Sequence, residues 1–363
     1  MKRYWFGLLA FSFVCLSFAW AQTPAEFKGH DGLIHSVAFS NDGSILATAS
    51  FDNTIKLWNF GTGKESQILK GHTSPATAVA FNNDGTIVAT GSSDKTIRFW
   101  NPKDGKSVKE LKGHTDGISS LVFSPNGQVL ASGSADKSVR LWDAKEGKEL
   151  KSLGVHKESV YSVAFNKDGT ELASCGNDGV IKIWSVKELK EIKSMMVDLP
   201  KPVIKIEVKK EEPPKDKKEV KKKDMGKKEE PKEIRDAFTV VAFTPDGKQI
   251  LSVGHDKYLR YWNLADGKEA KKIGPTPDYI FGLTLSKDGK HVATAGYGGS
   301  LRVYELASGT EVYPGPNVKD KEKNLDRRGW ITYCAVFAPD GKSIITGHEK
   351  SSKGIAKVTA VIK

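Results

Sequence analysis

The chain has 363 residues, 38% of them hydrophobic and 28% charged, with a formal net charge of +12 at pH 7. This length is sufficient for two average domains, or for one large domain with an ample core. Solubility explains the basic excess most simply, and a polyanion partner such as an acidic cell-envelope polymer stays possible. Nucleic acid is disfavoured, because the Lys-rich stretch 209–233 has no interleaved aromatic residues for base stacking.

Residues 1–21 are predicted to be a secretory signal peptide. Residues 1–3 are a basic start, residues 4–18 are apolar and uncharged, and residues 19–21 read Ala-Trp-Ala before Gln22. The alternative is an uncleaved membrane anchor, although the apolar run is short for a span. Cleavage after residue 21 would export residues 22–363 to the periplasm or the extracellular space, and a plain export signal of this kind favours a bacterial origin.

A pattern of 42 residues recurs four times after the signal. Each copy begins at a Gly-His dipeptide, which is replaced by Val155-His156 in the fourth. A hydroxyl residue follows each His by 18 positions, an Asp by 22 and a Trp by 28. The four sets are His30, Thr48, Asp52 and Trp58; His72, Thr90, Asp94 and Trp100; His114, Ser132, Asp136 and Trp142; and His156, Ser174, Asp178 and Trp184. A fixed period of this length is typical of repeat architectures.

Each copy contains four short segments that favour β-strands. In the first copy, residues 36–39 and 45–48 flank the turn signal Ser40-Asn41-Asp42-Gly43, and residues 54–58 and 67–69 follow. Four antiparallel strands in about 42 residues are typical of one propeller blade. A single blade cannot bury both of its faces, so the blades are expected to stack.

The pattern resembles the WD-repeat family, whose signature is Gly-His followed by Trp-Asp at this period. The literal dipeptide occurs once, at Trp142-Asp143, and the other copies end in Trp-Asn or Trp-Ser. The resemblance implies that the His, Ser/Thr, Asp and Trp of a copy form a hydrogen-bonded chain. We therefore expect no catalytic, metal or cofactor site in these sets, since one group recurs in four blades whereas an active site is normally single.

Three weaker copies follow. The fifth keeps Ser252, Asp256 and Trp262, but its His position falls on Ile234. The sixth has Gly298 and Tyr304 in place of the Asp and Trp. The seventh begins near residue 329 and stops short of an outer strand, which residues 24–28 are predicted to supply. The expected fold is therefore all-β, a seven-bladed propeller of four-stranded antiparallel blades that the N-terminal strand closes. Its repeats are expected at 30–71, 72–113, 114–155, 156–196, 236–275, 276–312 and 329–363.

Two charged insertions interrupt the weaker half of the chain. Residues 197–235 contain almost no apolar residues in their Lys/Glu-rich part, so they are predicted to be disordered. Residues 313–328 form a shorter charged insertion. Both fall between an outer strand and the next inner strand, a connection that the resemblance places on the partner-binding face. The alternative is that they are tolerated loops without a role, because long surface loops cost little closure entropy.

The resemblance favours a non-catalytic protein- or peptide-binding scaffold. Candidate contacts are the residues that start each inner strand, because they differ from blade to blade: His35, Thr77, Ser119, Tyr161, Phe281 and Tyr333. An enzyme built on a propeller and polyanion binding through the Lys-rich insertions are the alternatives. We further expect a monomer with two buried free thiols, Cys175 and Cys334. The histidines outside the repeated sets, His255, His291 and His348, are predicted to be solvated or capping residues.

Overall fold

A computed structural model describes residues 24–197, 237–297, 299–314, 332–350 and 353–362. These residues form β-strands joined by turns, and no helix able to span a membrane occurs among them. The strands are β1 (Glu26–His30), β2 (Ile34–Phe39), β3 (Ile45–Ser50), β4 (Ile55–Asn59), β5 (Glu65–Leu69), β6 (Ala76–Phe81), β7 (Val88–Ser92), β8 (Ile97–Trp100), β9 (Ser107–Leu111), β10 (Ile118–Phe123), β11 (Val129–Ser134), β12 (Ser138–Asp143), β13 (Glu149–Val155), β14 (Val160–Phe165), β15 (Glu171–Gly176), β16 (Val180–Ser185), β17 (Lys190–Met196), β18 (Phe238–Phe243), β19 (Gln249–Gly254), β20 (Leu259–Asn263), β21 (Glu269–Ile273), β22 (Ile280–Leu285), β23 (His291–Gly296), β24 (Leu301–Glu305), β25 (Glu311–Tyr313), β26 (Cys334–Phe337), β27 (Ser343–Lys350) and β28 (Lys353–Ala360).

The strands form seven antiparallel sheets of four strands each, which we number as blades one to seven. Blades one to six contain β2–β5, β6–β9, β10–β13, β14–β17, β18–β21 and β22–β25, each beginning with its inner strand. Blade seven has the order β1-β28-β27-β26. The inner strands contact one another in a closed cycle, because β26 touches both β22 and β2. The predicted seven-bladed propeller is therefore confirmed.

The N-terminal strand closes the ring, as the sequence predicted. β1 pairs with β28 in antiparallel register, with Glu26 opposite Lys357 and Phe27 opposite Ala356. The Phe27 side chain is only 1% exposed. Its ring centroid lies 5.7 Å from that of Trp58 and 5.9 Å from that of Phe60, both in blade one. The first strand of the chain thus joins the last blade to the first.

The hydrophobic core lies between the blades, and the repeated Trp is its largest component. Trp100 of blade two packs in one cluster with Leu57 and Leu69 of blade one. Trp142 packs in the same way on blade two, Trp184 on blade three and Trp262 on blade four. Each indole buries a large apolar area against the preceding blade. This packing explains why the Trp is kept in copies that have lost the following Asp.

Blade seven has no aromatic side chain at the Trp position. In blade one Trp58 lies opposite Leu46, and the equivalent pair in blade seven is Thr359 opposite Ile344. A pocket of about 300 Å³ occupies the missing volume, lined by Leu301 and by residues of blade seven that include His348 and Thr359. The interface between blades six and seven is therefore less completely packed than its neighbours.

The change Thr359→Trp should stabilise the protein by filling this pocket. We expect the free energy of unfolding to rise by about 1 kcal/mol, the usual gain from filling a cavity, as measured by urea denaturation. Thr115→Trp, which adds the same ring at an exposed site, is the control. A lower stability of the Thr359 variant with an unchanged control would show that the pocket cannot accept an indole.

Candidate interaction site at the mouth of the central channel

The four repeated sets form continuous hydrogen-bonded chains inside blades one to four. In blade three the Trp142 indole N–H donates to Ser132 Oγ at 2.8 Å. His114 Nε2 lies 2.7 Å from the same oxygen, and its Nδ1 lies 2.8 Å from Asp136 Oδ2. Since a carboxylate only accepts, Nδ1 carries the proton and the serine hydroxyl donates to Nε2. Blades one, two and four repeat this chain with distances of 2.7–3.1 Å.

In blades two and three the surroundings of the chain favour a neutral His and an ionised Asp. Burial lowers the pKa of His72 and of His114. Burial alone would raise the pKa of Asp136, but hydrogen bonds from Ser138, from the Thr115 backbone N–H and from His114 outweigh it and lower that pKa to about 2. Ser132 is fully buried, so no substrate can reach its hydroxyl. The resemblance to a Ser-His-Asp catalytic triad is therefore one of composition only.

These shifts predict that the protein loses stability as the pH falls. The pKa of His72 and His114 lies below the ordinary 6.5 in the folded state. Below pH 6.5 the unfolded chain therefore binds protons that the folded chain does not, and the free energy of unfolding decreases. The lowered pKa of Asp94 and Asp136 adds a second loss below the ordinary 3.8. Urea midpoints should change little between pH 8 and pH 7 and should fall from pH 7 to pH 5; a midpoint that rises over the lower range would contradict the assignment.

A glycine one or two residues before each His allows the Trp to approach the backbone. Gly113 has φ 157°, and a Cβ built on it would lie 3.2 Å from Trp142 Cη2. The fourth copy appeared to have lost this residue to Val155. The structure shows instead that Gly154, also at φ 157°, contacts Trp184 in the same way. The glycine has moved by one residue and its role is retained.

Gly113→Ala is expected to destabilise the protein by about 1–3 kcal/mol, because the new methyl group meets Trp142 and the backbone is strained. Thermal and urea denaturation measure the change. Gly61→Ala is the matched control, since a Cβ there meets only Asn59 Oδ1 at 3.8 Å. Equal effects of the two substitutions would exclude a special role for the close approach.

Blade five keeps two separate parts of the pattern, and its aspartate pairs with an arginine. Trp262 Nε1 donates to Ser252 Oγ at 2.8 Å, as in the regular blades. Asp256 accepts from Arg260 Nε at 2.5 Å, and Arg260 also pairs with Glu269 on the outer strand. Ile234, where the pattern placed the His, lies outside the described residues. The hydrogen-bond donor to the aspartate therefore comes from the following strand, β20, and is a charged guanidinium instead of an imidazole.

Blade seven rebuilds its chain from a histidine in a different position. His348 Nε2 lies 2.6 Å from Thr346 Oγ1, and its Nδ1 lies 3.1 Å from Thr332 Oγ1. The side chain is buried. The prediction that His348 is solvated or capping is therefore wrong, because its ring lies in the blade interior between two hydroxyl groups. Gly298, which replaces the Asp in blade six, lies outside the described residues.

The six predicted contact residues surround one cavity of about 550 Å³ at the start of the inner strands. The ring closure brings together His35, Thr77, Ser119, Tyr161, Phe281 and Tyr333, which are separated widely in sequence. Thr239 of blade five lines the same cavity and was not predicted. It precedes Val240 as His35 precedes Ser36, so the same offset in the fifth copy could have identified it. We call this opening the channel mouth.

Three residues of the channel mouth also join adjacent blades. His35 Nδ1 donates to the Thr77 carbonyl at 2.8 Å, and burial lowers the pKa of His35. Thr77 Oγ1 donates to the Ile118 carbonyl, and Thr239 Oγ1 donates to the Ile280 carbonyl at 2.7 Å. These bonds each connect one inner strand to the next. The ring positions are therefore partly structural, although the sequence variation alone suggested a purely external role.

Aromatic rings form a continuous arc along one side of the channel mouth. Successive centroids lie 4.9, 5.9, 5.4, 5.8 and 5.5 Å apart. In spatial order the aromatic arc consists of Tyr279, His255, Phe281, Tyr333, His35 and Phe51. Tyr279 is 47% exposed and Phe51 is 44% exposed, so both ends of the arc face solvent.

The sequence interpretation missed three members of the aromatic arc. His255 was predicted to be solvated or capping; its side chain is half-buried, lines the channel mouth and packs against Tyr279 and Phe281. His255 and Phe51 occupy the same turn between the second and third strands of their blades, and Tyr279 precedes an inner strand. An aromatic residue at these connections was a usable signal, because the connections border the channel mouth.

Among the described residues, neither the two cysteines nor any cluster of metal-binding side chains forms a reactive site. Cys175 and Cys334 are free thiols, as predicted; Cys175 is buried, whereas Cys334, which was also expected to be buried, is only partly so. Burial raises the pKa of Cys334 to about 12 and also raises that of Cys175, so both stay protonated and poorly nucleophilic. No group of three or more His, Cys, Asp or Glu side chains within the described ranges could hold a metal ion. That the chain needs no metal or cofactor stays a prediction.

Both predicted charged insertions fall almost entirely on residues outside the described ranges. Residues 198–236 separate β17, the outer strand of blade four, from β18, the inner strand of blade five. Residues 315–331 separate β25 from β26 in the same way. These are connections from an outer strand to the next inner strand, which is the connection type that carries Tyr279. Residues 1–21, the predicted signal, also lie outside the described residues.

Comparison with known proteins agrees with this architecture. The family model described as WD domain, G-beta repeat (WD40), matches residues 21–59, 63–101, 105–143, 147–185, 235–263 and 268–305. Ribosome assembly protein 4 of Saccharomyces cerevisiae is 52% identical over 40 residues, which are 11% of this chain and 8% of the yeast protein. That similarity has the length of a single repeat. Six family matches and seven four-stranded blades show that the chain belongs to the WD40 repeat family.

Proposed function

We propose that this protein is an exported, non-catalytic scaffold that binds a protein or peptide partner at the channel mouth. The observation that carries the proposal is the aromatic arc, whose rings come from four blades and of which four line one cavity. Aromatic side chains are enriched at protein interfaces because they bury a large area at a small cost in conformational entropy. Family membership supports the same function, since WD40 propellers typically bind protein partners.

The non-catalytic assignment rests on the position of the reactive-looking groups. The Ser, His and Asp of the regular blades are bonded to one another in blade interiors, and their hydroxyls are fully buried. The alternative of a propeller-based hydrolase or oxidoreductase is tested directly by a metal assay and a broad activity screen on the purified protein. Stoichiometric metal or robust turnover would reject the scaffold assignment.

Export and partner identity are further parts of the proposal. The basic, apolar and small-residue sequence of residues 1–21 supports export and cleavage after residue 21. The yeast relative's name concerns ribosome assembly, but a similarity of one repeat length carries no partner to this chain. Polyanion binding through residues 197–235 is the second candidate, favoured by the lysine content of that insertion. Retention on an anionic resin that persists after deletion of residues 201–235 would reject it.

Affinity capture from the exported fraction tests the proposed function. The wild-type chain should retain a partner that is lost with Phe281→Leu combined with Tyr333→Leu, because these changes remove two rings from the aromatic arc. Leu150→Ala, on the exposed outer strand β13, is the control and should leave capture unchanged. Loss of the partner only on deletion of residues 201–235 would transfer the interaction from the channel mouth to the insertion.

A further inference from the structure

The pocket between blades six and seven lies where blades one to five have an indole ring. The strand register of blade seven places Thr359 in the position of Trp58 of blade one. The pocket has a volume of about 300 Å³, which is at the lower end of cavities that hold small ligands. It therefore has room for one bicyclic ring but not for a folded partner.

The hydroxyl group that accepts the indole N–H is kept in blade seven. In blade one Trp58 Nε1 donates to Thr48 Oγ1 at 2.9 Å, and blades two to five repeat this bond at 2.8 Å. Thr346 has the register position of Thr48, lines the pocket and is only 2% exposed. The pocket thus contains the polar group to which the indole ring is bonded in the other blades.

The Thr346 hydroxyl can accept a further hydrogen bond. Its oxygen lies 2.6 Å from His348 Nε2. A hydroxyl oxygen has two acceptor lone pairs, and the bond with the imidazole uses at most one of them in either tautomer of the ring. In blade one the Thr48 oxygen likewise lies 2.7 Å from His30 Nε2 while it accepts from Trp58. An N–H donor in the pocket would complete the same arrangement in blade seven.

The other lining residues favour a neutral aromatic ring. Leu301 and Tyr313 of blade six form one side of the pocket, and no carboxylate occurs among its described lining residues. Lys357 also lines the pocket, in the register position of Lys56. The Lys56 ammonium lies 5.9 Å from the centroid of the Trp58 ring. An ammonium in this position attracts the face of an aromatic ring and repels a cationic ligand.

We propose that this pocket binds a neutral bicyclic aromatic ring with an N–H donor, of the indole class, which takes the place of the missing tryptophan side chain. The ring N–H donates to Thr346 Oγ1, and the ring packs between Leu301 and β28. None of the described residues that line this pocket lines the channel mouth. The site is therefore separate from the proposed partner-binding surface, and the two assignments can fail independently.

Isothermal titration calorimetry of residues 22–363 with indole and with benzofuran tests the inference. Benzofuran has the same bicyclic shape, but its ring oxygen cannot donate a hydrogen bond. Indole should bind saturably with one molecule per chain, and about fivefold more tightly than benzofuran, which is roughly the effect of one neutral hydrogen bond. Saturating indole should also raise the melting temperature, because it binds only the folded chain. No saturable binding of indole, or equal affinities of the two ligands, would overturn the inference.

Two pairs of variants locate the binding site. Thr359→Trp fills the pocket with a ring of the chain itself and should abolish indole binding, whereas Thr115→Trp should leave it unchanged. Thr346→Val should remove the preference for indole over benzofuran. Thr90→Val removes the equivalent buried hydroxyl of blade two, where Trp100 occupies the site, and should leave the preference unchanged. Undiminished indole binding by Thr359→Trp would overturn the inference, and this result does not depend on whether Thr346→Val folds.

A further ligand identifies the source of the ring. N-acetyltryptophanamide has the same indole ring attached to a peptide backbone. Weaker binding of this compound than of indole would identify a free small molecule as the occupant, because the backbone does not fit the pocket. Tighter binding would identify a tryptophan side chain of a partner segment. Both results support an indole-class occupant of the pocket between blades six and seven.

Discussion

Deletion of residues 22–28 is expected to lower the melting temperature by about 10 °C or more. The deletion removes most of β1, leaves β28 as an unpaired edge and empties the site of Phe27 beside Trp58 and Phe60. Loss of a buried Phe side chain alone costs about 3–5 kcal/mol, and each kcal/mol lowers the melting temperature of a large domain by roughly 2–4 °C. Differential scanning calorimetry of the mature chain measures the effect.

Phe27→Ala separates the packing contribution from the strand pairing, since it keeps the β1 backbone. We expect it to account for about 3–5 kcal/mol of the loss. Val108→Ala, on the outer strand of blade two and 53% exposed, serves as the matched truncation and should change little. The deleted chain should also aggregate more readily, because an exposed strand edge pairs with other chains. An unchanged melting temperature after the deletion would refute ring closure by this strand.

Asp136→Ala is the second substitution with a large expected effect. Its carboxylate accepts from His114 Nδ1 at 2.8 Å, from the Thr115 N–H at 2.9 Å and from the Ser138 backbone N–H at 2.9 Å. The Ser138 hydroxyl donates to it as well, at 2.6 Å. Alanine leaves these donors, of which the His114 ring is buried, without an acceptor, and such losses together cost about 3–5 kcal/mol. Urea denaturation at pH 7 measures the change.

Two further variants serve as comparisons for Asp136→Ala. Asp104→Ala, at an exposed aspartate in the turn before β9, should cost far less. Asp136→Asn keeps one acceptor oxygen but removes the charge, so an intermediate loss is expected. A small effect of Asp136→Ala would show that the repeated hydrogen-bonded chain stabilises the blades less than their interblade packing does.

The fold was predictable because the same residue pattern, and with it the same four-stranded blade, occurs several times along the chain. Each copy places its His, hydroxyl residue, Asp and Trp at fixed offsets, and the four strands between them follow from turn signals and alternation. Where the chain departs from the pattern, the same contact or hydrogen bond is made by a different residue. Arg260 supplies a hydrogen-bond donor to Asp256, and Gly154 leaves room for the Trp184 ring. His348 supplies the hydrogen-bonding partner of the Thr346 hydroxyl. A search at fixed offsets cannot find such replacements.

The candidate site was predictable only in part, because its residues are far apart in the sequence. One residue per blade could be identified because the inner strands start at a constant offset. The aromatic arc joins Phe51 to Tyr333 through His35, and Tyr333 to Tyr279 through blades six and five. Its contacts depend on the first blade meeting the last. Only closure of the ring shows that scattered aromatic residues form one surface.

The pairing of β1 with β28 also determines the order in which the molecule can be completed. Residues 26–30 are synthesised long before their partner strand, which ends at residue 360. Blade seven therefore forms only after β28 has been made, and its pairing joins residues far apart in sequence, which slows folding. Partly synthesised chains keep an open ring with unpaired edges. Export of the unfolded chain, as proposed above, would avoid that stage, because both partner strands would then be present together.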